Sequence, residues 1–300
     1  MRILLVGQSG QVAHELERTL ACLGEIISRS RGTEPCLDLL NPDSIEPAIR
    51  EAWPDLIVNA AAYTQVDRAE TDVEAAYTIN THAVEALAFA CRDLKIPLIH
   101  YSTDYVFDGK AQTPYRETDP TGPDGVYASS KLQGEEAIRS AGISHLILRT
   151  AWVYGLHGQN FLKTMLRLMA ERESLGIVND QFGAPTWSRM IAEATALIIA
   201  QSMRDGSVDL GERSGTYHLT CAGTTTWFGF AEKIRALGIA GGHLSASAAS
   251  LRAIPTEEYP TPARRPAYSV LDNQRLLETF GLSLPAWEEG LALCLEAKTS

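Results

Sequence analysis

Long apolar runs are missing from this chain: no stretch of its 300 residues approaches the roughly 18 needed to cross a bilayer. Cysteine is scarce and scattered. Cys22, Cys36, Cys91, Cys221 and Cys294 form no C-x-x-C pair, which excludes the common dithiol and zinc spacings and points to reduced thiols in a cytoplasmic protein. The opening Met1-Arg2 leads directly into an apolar strand, leaving no room for a signal peptide. Positive charge is in deficit, with 26 Lys and Arg against 37 Asp and Glu and a formal charge of −11. Such a surface repels phosphate backbones and anionic lipids, so neither nucleic acid nor membrane is expected as a partner, and an anionic small molecule needs a local basic patch. The seven histidines show no ligand-like spacing, so no metal site is read from them. Internal repeats are absent too. What remains is an ordinary globular composition, 45% hydrophobic and 21% charged, at a length that suits two domains or one large α/β domain with an insertion.

Ile3 to Val6 is an apolar run with nothing polar inside it, as in a strand buried on both faces. It leads into Gly7, Gly10 and Ala13, spaced G-x-x-G-x-x-A, and then into an amphipathic helix through Leu16 and Leu20 that stops at Gly24. A glycine turn between a first strand and a helix lays pyrophosphate on helix amides. Gly7 permits the tight turn, Gly10 permits close backbone approach, and Ala13 lets the helix pack on the strand. Glu25 to Ser28 reads as a second strand, after which Arg29 and Arg31 stand where an NAD-selective site usually places a carboxylate. Two arginines suit a 2′-phosphate, so NADPH is expected, with NADH possible. Cys36 to Leu39 is expected to end a further strand, with Asp38 and Leu39 at the adenine. Asp55 to Ala62 reads as a strand running into Ala60, Ala61 and Ala62, whose small side chains let a flat cofactor lie on the backbone; Thr64 lies just beyond. A long helix covers Val73 to Leu94 and includes Asn80.

The chain is organised around Tyr127 and Lys131, four residues apart and so stacked on one helix face. An ammonium near a phenol favours the phenolate and draws its pKa down from about 10 towards the working range of an acid. Upstream, the strand around Ile96–Ile99 runs into His100, Tyr101, Ser102, Thr103 and Asp104, where a hydroxyl is placed to donate to a carbonyl while Tyr127 supplies a proton. A Y-x-x-x-K pair alone is common by chance; its company here gives it meaning.

With G-x-x-G-x-x-A, Asn59–Ala62, Ser102–Asp104 and Tyr127/Lys131 in this order, the chain resembles the extended short-chain dehydrogenase/reductase superfamily over nearly its whole length. Ser102–Gly109, Arg149–Tyr154, Asn160–Phe161, Asn179–Thr186, Tyr217–Leu219 and Tyr259–Pro266 are similar to the family of dTDP-4-dehydrorhamnose reductases within it. That resemblance implies a doubly wound, Rossmann-type parallel sheet and reduction of a nucleotide-linked 4-keto-6-deoxy sugar. By motif, it implies Tyr127 as proton donor, Lys131 beside it and on the nicotinamide ribose, Thr103 polarising the ketone, and Asp104 placing the sugar or Tyr127. It further implies Gly10, Gln11 and Val12 at the pyrophosphate, Ala60–Ala62 along the cofactor, Trp152 on the substrate, and Arg264 or Arg265 at the diphosphate or base. Relatives carry Mg²⁺ between glutamates at a dimer contact. Glu15 matches one such position, but Arg189 stands where another ligand would fall, which argues against Mg²⁺ here. Two further readings share these motifs: a nucleotide-sugar epimerase or dehydratase, and a non-catalytic regulatory subunit like the methionine adenosyltransferase β subunit. The second would be expected to lose Tyr127 and Lys131, which are present.

From residue 151 the pattern loosens. Helices are expected over 160–172, 187–203 and 226–237, with short strands near 176–179 and 215–219, and a polar glycine-bearing loop over 206–215. Four prolines between Pro255 and Pro266 exclude a regular helix or central strand there. The expected division is a dinucleotide-binding domain over 1–150 and a smaller substrate-binding domain over 151–300, with some later segments returning to the first. A final helix, 286–296, has an apolar stripe at Trp287, Leu291 and Leu295 that suits either the domain or a homodimer contact.

Overall fold

The computed structural model describes residues 1–296. Its centre is a six-stranded parallel sheet: β1 (Arg2–Val6), β2 (Glu25–Arg29), β3 (Leu56–Asn59), β4 (Leu98–Thr103), β5 (His145–Thr150) and a sixth strand, Gly215–His218. The spatial order is Gly215–His218, β5, β4, β3, β1, β2. Apart from the edge strand β2, the strands up to β5 are buried almost throughout, which accounts for the apolar runs of β1 and β3, while β4 and β5 carry buried polar residues towards their carboxyl ends. Val6 pairs with Asn59 as well as Arg29, so the chain leaves β1 outward to β2 and returns on its other side to β3. At this reversal the carboxyl ends of β1 and β3 open a crevice, the usual place for a ligand in such a sheet.

Helices flank both faces, and two separate apolar clusters fill the layers. One holds Leu4, Ile49, Ile57, Leu87 and Ile147. The other runs from Ile3, Leu5 and Leu16 to Phe230, Trp287 and Leu291, so the second half of the chain shares its core with the sheet. Helix α1 (Gln11–Thr19) lies in that larger cluster, and α2 (Ile45–Ala52) in the smaller one. The final helix, Trp287–Glu296, buries Trp287, Leu291 and Leu295 within the chain, so its apolar stripe is used inside the fold.

The long helix expected over 73–94 is present, but its middle is a π-helical turn: Val73–Tyr77, then Thr78–His82, then Ala83–Leu94. The widened turn is where Asn80 and Thr81 reach Ser130 on the neighbouring Tyr127 helix. One expectation fails. No strand ends at Leu39: Leu37 and Leu39 are buried under a loop, and the Asp38 carboxylate accepts the Leu40 amide 3.0 Å away. Two buried leucines alternating with polar residues imitate a strand, yet the loop has no strand partner. Elsewhere the helices Phe161–Glu171, Ser188–Gln201 and Trp227–Ala240 occupy the expected stretches, and Ser174–Val178 pairs with Ser250–Ile254 in a small parallel sheet.

Candidate active site

Gly7 follows β1 with φ +102, a conformation that L side chains rarely adopt, and a Cβ there would lie 3.1 Å from the Ala61 Cβ. Glycine thus lets the first turn lie flat against Ala61. Gly10 caps α1 in an extended conformation without any side-chain cap, and no acidic residue stands in the first turn. A Cβ on Gly10 would meet only the Ala60 carbonyl, 3.8 Å away. Uncapped amides, open ground above them and no anion to compete fit a pyrophosphate. At the end of β2, Arg29 binds Glu51 at 3.0 Å but leaves its buried Nε without a partner, and Arg31 is exposed in the following loop. Both fit the 2′-phosphate expectation; Asp38, the residue expected at the adenine, lies in the loop after Cys36, where its carboxylate accepts the Leu40 amide. Gln11 is less free than expected. Its side-chain carbonyl accepts Asn160 at 2.7 Å and its amide lies 3.4 Å from the Val153 carbonyl, so it also ties the glycine turn to the second half of the chain. Val12 is half-buried against the large core cluster, and Thr64 is exposed.

The helix Val126–Ser140 carries Tyr127 and Lys131. Its start is fixed by the Glu70 carboxylate, which accepts the Val126 amide at 2.9 Å, a favourable place for an anion. Asn80 secures the same helix to the cofactor side: it bonds the backbone of Tyr63 through both amide atoms, at 2.9 and 3.1 Å, and donates to Ser130 at 3.1 Å. Gly134 allows this closeness, since a Cβ there would lie 2.2 Å from the Asn80 carbonyl oxygen.

At the carboxyl end of β4, the buried Thr103 hydroxyl donates to Asp104 at 3.0 Å and accepts the Tyr105 amide at 3.2 Å. Burial pushes the Tyr127 phenol up to about 12, against a hydrogen bond from the Thr103 side that pulls it down. Tyr127 is therefore a phenol at neutral pH, beside Thr103 and edge-on to Tyr105 with ring centroids 5.8 Å apart. Lys131 departs from expectation. Its side-chain nitrogen is buried against the Tyr101 carbonyl at 2.7 Å and His100 Nε2 at 3.1 Å.

Burial raises the Asp104 carboxyl to about 6, only partly offset by hydrogen bonds from Ser269 and Thr103. A carboxyl with a raised folded pKa stabilises the fold below its unfolded value, and that contribution is lost as pH rises through about 6. Asp104→Asn is therefore expected to raise the melting temperature at pH 7.5 and to give no gain at pH 4. A loss of stability at pH 7.5 contradicts the strained carboxylate.

The opposite wall is built around Trp152, held at φ +46. Its ring stacks on Trp227 with centroids 3.5 Å apart and planes 5° from parallel, and Trp227 donates to Gln181 at 3.1 Å. Gly183 presses against Trp152 so closely that a Cβ there would lie 2.4 Å from the ring. Gln181 and Gly183 lie in the Asn179–Thr186 segment that carried the resemblance but had no role assigned, and Trp227 had no signal beyond a tryptophan at a helix start. Of the two expected arginines, Arg265 is committed to Asp67 through two 2.6 Å bonds that hold the Asp67 carboxyl below the usual range. Arg264 is exposed, 3.4 Å from Asp124. With Lys110 they line one cavity together with Tyr105, Asp108 and Asp124, three cations against two carboxylates.

Glu15 is buried and already bound by Arg18 at 2.9 Å and Arg189 at 3.2 Å, a setting that does not fit a divalent cation. Among the described residues, no group of three or more His, Cys, Asp or Glu gathers as a metal site, and no helix is long and apolar enough to cross a membrane.

The family model for the RmlD substrate binding domain matches residues 1–300. The dTDP-4-dehydrorhamnose reductase of Burkholderia thailandensis is 48% identical over 296 residues, covering 98% of each chain. The reductase of the same name from Escherichia coli K12 is 46% identical, covering 97% of this chain and 96% of its own. The crystal structure of dTDP-4-dehydrorhamnose reductase from Bacillus anthracis in complex with NADP superposes with a TM-score of 0.86 at 32% identity, covering 99% of both chains. Matched from end to end by one family model and by reductases of a single name, the chain belongs to the dTDP-4-dehydrorhamnose reductase family.

Proposed function

We propose that this protein reduces the 4-keto group of dTDP-4-dehydro-L-rhamnose to give dTDP-L-rhamnose, with NADPH as its preferred cofactor. The observation that carries the reading is the meeting of Thr103 and a protonated Tyr127 at the carboxyl end of β4, on the same edge of the parallel sheet as the open glycine turn that follows β1. A bound nicotinamide supplies the hydride that reduces the ketone carbon. The chain's part is to hold the ketone between Thr103 and Tyr127, to donate hydrogen bonds to its oxygen as negative charge grows there, and to pass the Tyr127 proton to the alkoxide. In the free chain the single Thr103 hydroxyl proton goes to Asp104, so Thr103 turns it from Asp104 to the ketone oxygen when the sugar binds. Trp152, braced by Trp227 and Gly183, walls the sugar, and Arg264, with Lys110, meets the diphosphate. Arg265 positions Asp67 and Tyr105 more than it reaches for ligand.

The same Tyr and Lys serve epimerases, which return their hydride. Supplying the keto sugar with NADPH and following the nicotinamide absorbance separates the two: steady oxidation is expected, and a constant signal with an isomerised sugar supports the epimerase. A regulatory subunit gives neither. Residues 1–150 are read as the cofactor-binding part, and 151–300 as the substrate-binding part with Gly215–His218 returned to the sheet. Five free cysteines favour a cytoplasmic site. With the stripe of the last helix used inside the chain, a homodimer draws no support from it.

Two outcomes follow for specificity. Replacing Arg29 and Arg31 by Ala is expected to weaken NADPH about 10-fold or more while NADH changes little, since charge-assisted bonds to a phosphate are lost. Equal loss of both cofactors contradicts a 2′-phosphate site. Gly183→Ala drives a methyl into a Trp152 ring that Trp227 prevents from yielding, and KM for the sugar nucleotide is expected to rise about 10-fold with cofactor Kd kept. An unchanged KM removes Trp152 from the substrate wall.

A further inference from the structure

Behind the acid pair lies a buried chain of polar groups: Ala61 amide, Asn59, His100, Lys131 and the Tyr101 carbonyl. Asn59 and His100 are buried to 1% and 0% exposure and Lys131 to 2%, so every proton in the chain needs an acceptor inside the protein. The directions follow from one fixed end. The Ala61 amide can only donate, so the Asn59 atom 3.1 Å from it is the carbonyl oxygen. The Asn59 NH₂ then faces His100 Nδ1 at 3.1 Å and has only hydrogens to offer, which makes Nδ1 the acceptor. A neutral imidazole carries one proton, so it resides on Nε2 and points at Lys131 Nζ, 3.1 Å away. Only an amine has a lone pair to receive it. The remaining Lys131 hydrogens include the one given to the Tyr101 carbonyl at 2.7 Å. An ammonium in this position would force Nδ1–H against the Asn59 NH₂.

We propose that Asn59 and His100 are positioning residues that favour the uncharged amine of Lys131 over its ammonium, so that the amine is reached at a pH well below that of an ordinary lysine. The inference rests on reading Tyr127 and Lys131 as the acid pair, and it adds a role for two residues of β3 and β4 that do not face the ligand. The surroundings agree with it. Burial lowers Lys131 to about 8, and the one charge favouring its ammonium, Glu135 one turn along the helix, is taken up by Arg149 from β5 and by Arg139. Burial and Lys131 together hold His100 well below the usual imidazole range, so it stays neutral. The other ionisable groups near are Tyr127 one turn earlier and Asp104 beyond the end of β4; the Tyr101 hydroxyl is turned away to Thr195 at 2.7 Å.

The test uses the full cofactor-free chain with ¹⁵N-histidine and ¹³C-lysine, His100 and Lys131 signals being located by loss in His100→Gln and Lys131→Met. The Nε2–H tautomer is expected at His100, and Lys131 is expected to titrate about one pH unit or more below an ordinary lysine. Asn59→Asp keeps the acceptor for Ala61 but replaces the NH₂ by an oxygen. It is expected to move the proton to Nδ1, turn Nε2 into an acceptor, raise the Lys131 midpoint by about one pH unit, and carry the alkaline limb of kcat/KM upward with it. A purely structural role moves the melting temperature and leaves both midpoints in place. An Nδ1–H tautomer in the unaltered protein, or an unmoved Lys131 in a folded Asn59→Asp protein, overturns the proposal. A Lys131→Met protein with full turnover sinks the acid-pair reading instead, whatever tautomer is found.

Discussion

Tyr127→Phe is expected to cut turnover by about 10²-fold or more while leaving cofactor affinity nearly intact. The phenol is held where its loss removes a proton and little else. It stands at the start of a helix fixed by Glu70 and Asn80, its ring meets Tyr105 edge-on, and the helix backbone carries Ser130 and Lys131 regardless of the hydroxyl. Because burial keeps the phenol near 12, it is fully protonated in any ordinary buffer, so the reductive rate at acid and neutral pH does not depend on its own ionisation. Measuring kcat, KM and cofactor Kd side by side checks this. Turnover equal to that of the unaltered protein would take Tyr127 out of the chemistry and leave Thr103 or a water as the donor.

Glu135→Gln is expected to be the most destabilising of the substitutions considered, by about 3–5 kcal/mol in denaturant unfolding. The carboxylate is wholly buried and takes two bonds from Arg149, at 2.9 and 2.7 Å, and a third from Arg139 at 3.0 Å. Burial is the largest influence and pushes this carboxyl up, but the bonds and charge of Arg149, joined by Ser102 and Arg139, together hold it below the usual range. The amide would leave the Arg149 charge buried without a counter-charge. The sign with pH follows from the depressed folded value: the carboxylate's contribution is present above its unfolded pKa and fades as pH falls through the folded one, so the gap between the two proteins narrows in acid. Replacing both partners, as Glu135→Leu with Arg149→Met, is expected to recover most of the loss. If Glu135→Gln proves neutral at pH 7, the buried pair is not what ties the Tyr127 helix to β5.

What could be read in advance was local. Gly7, Gly10 and Ala13 sit within one strand–turn–helix, and Tyr127 and Lys131 share one helix face, so spacing alone placed them. Where reading failed, distant packing decided. Leu37 and Leu39 alternate like a strand but are buried under a loop, which left Asp38 away from any strand end. Trp152 gains its rigidity from Trp227, 75 positions later by the two residue numbers, and from Gly183. Arg265 looked free for a phosphate in a proline-bounded loop, yet Asp67, nearly two hundred residues earlier, claims it. The inward turn of Lys131 had one cue, the polar His100 within an apolar strand, but the direction of its hydrogen bonds is set by Asn59 on β3, far from both in sequence.

The central claim is that hydride passes for good to the sugar carbon while the chain supplies the proton. Supplying dTDP-4-dehydro-L-rhamnose with NADPH deuterated at the transferring C4 position of its nicotinamide ring, and analysing the product by mass and NMR, tests it in one step. The account predicts one deuterium at C4 of a rhamnosyl product for each NADPH oxidised. Unlabelled product, or label that returns to the cofactor with no net oxidation, contradicts it.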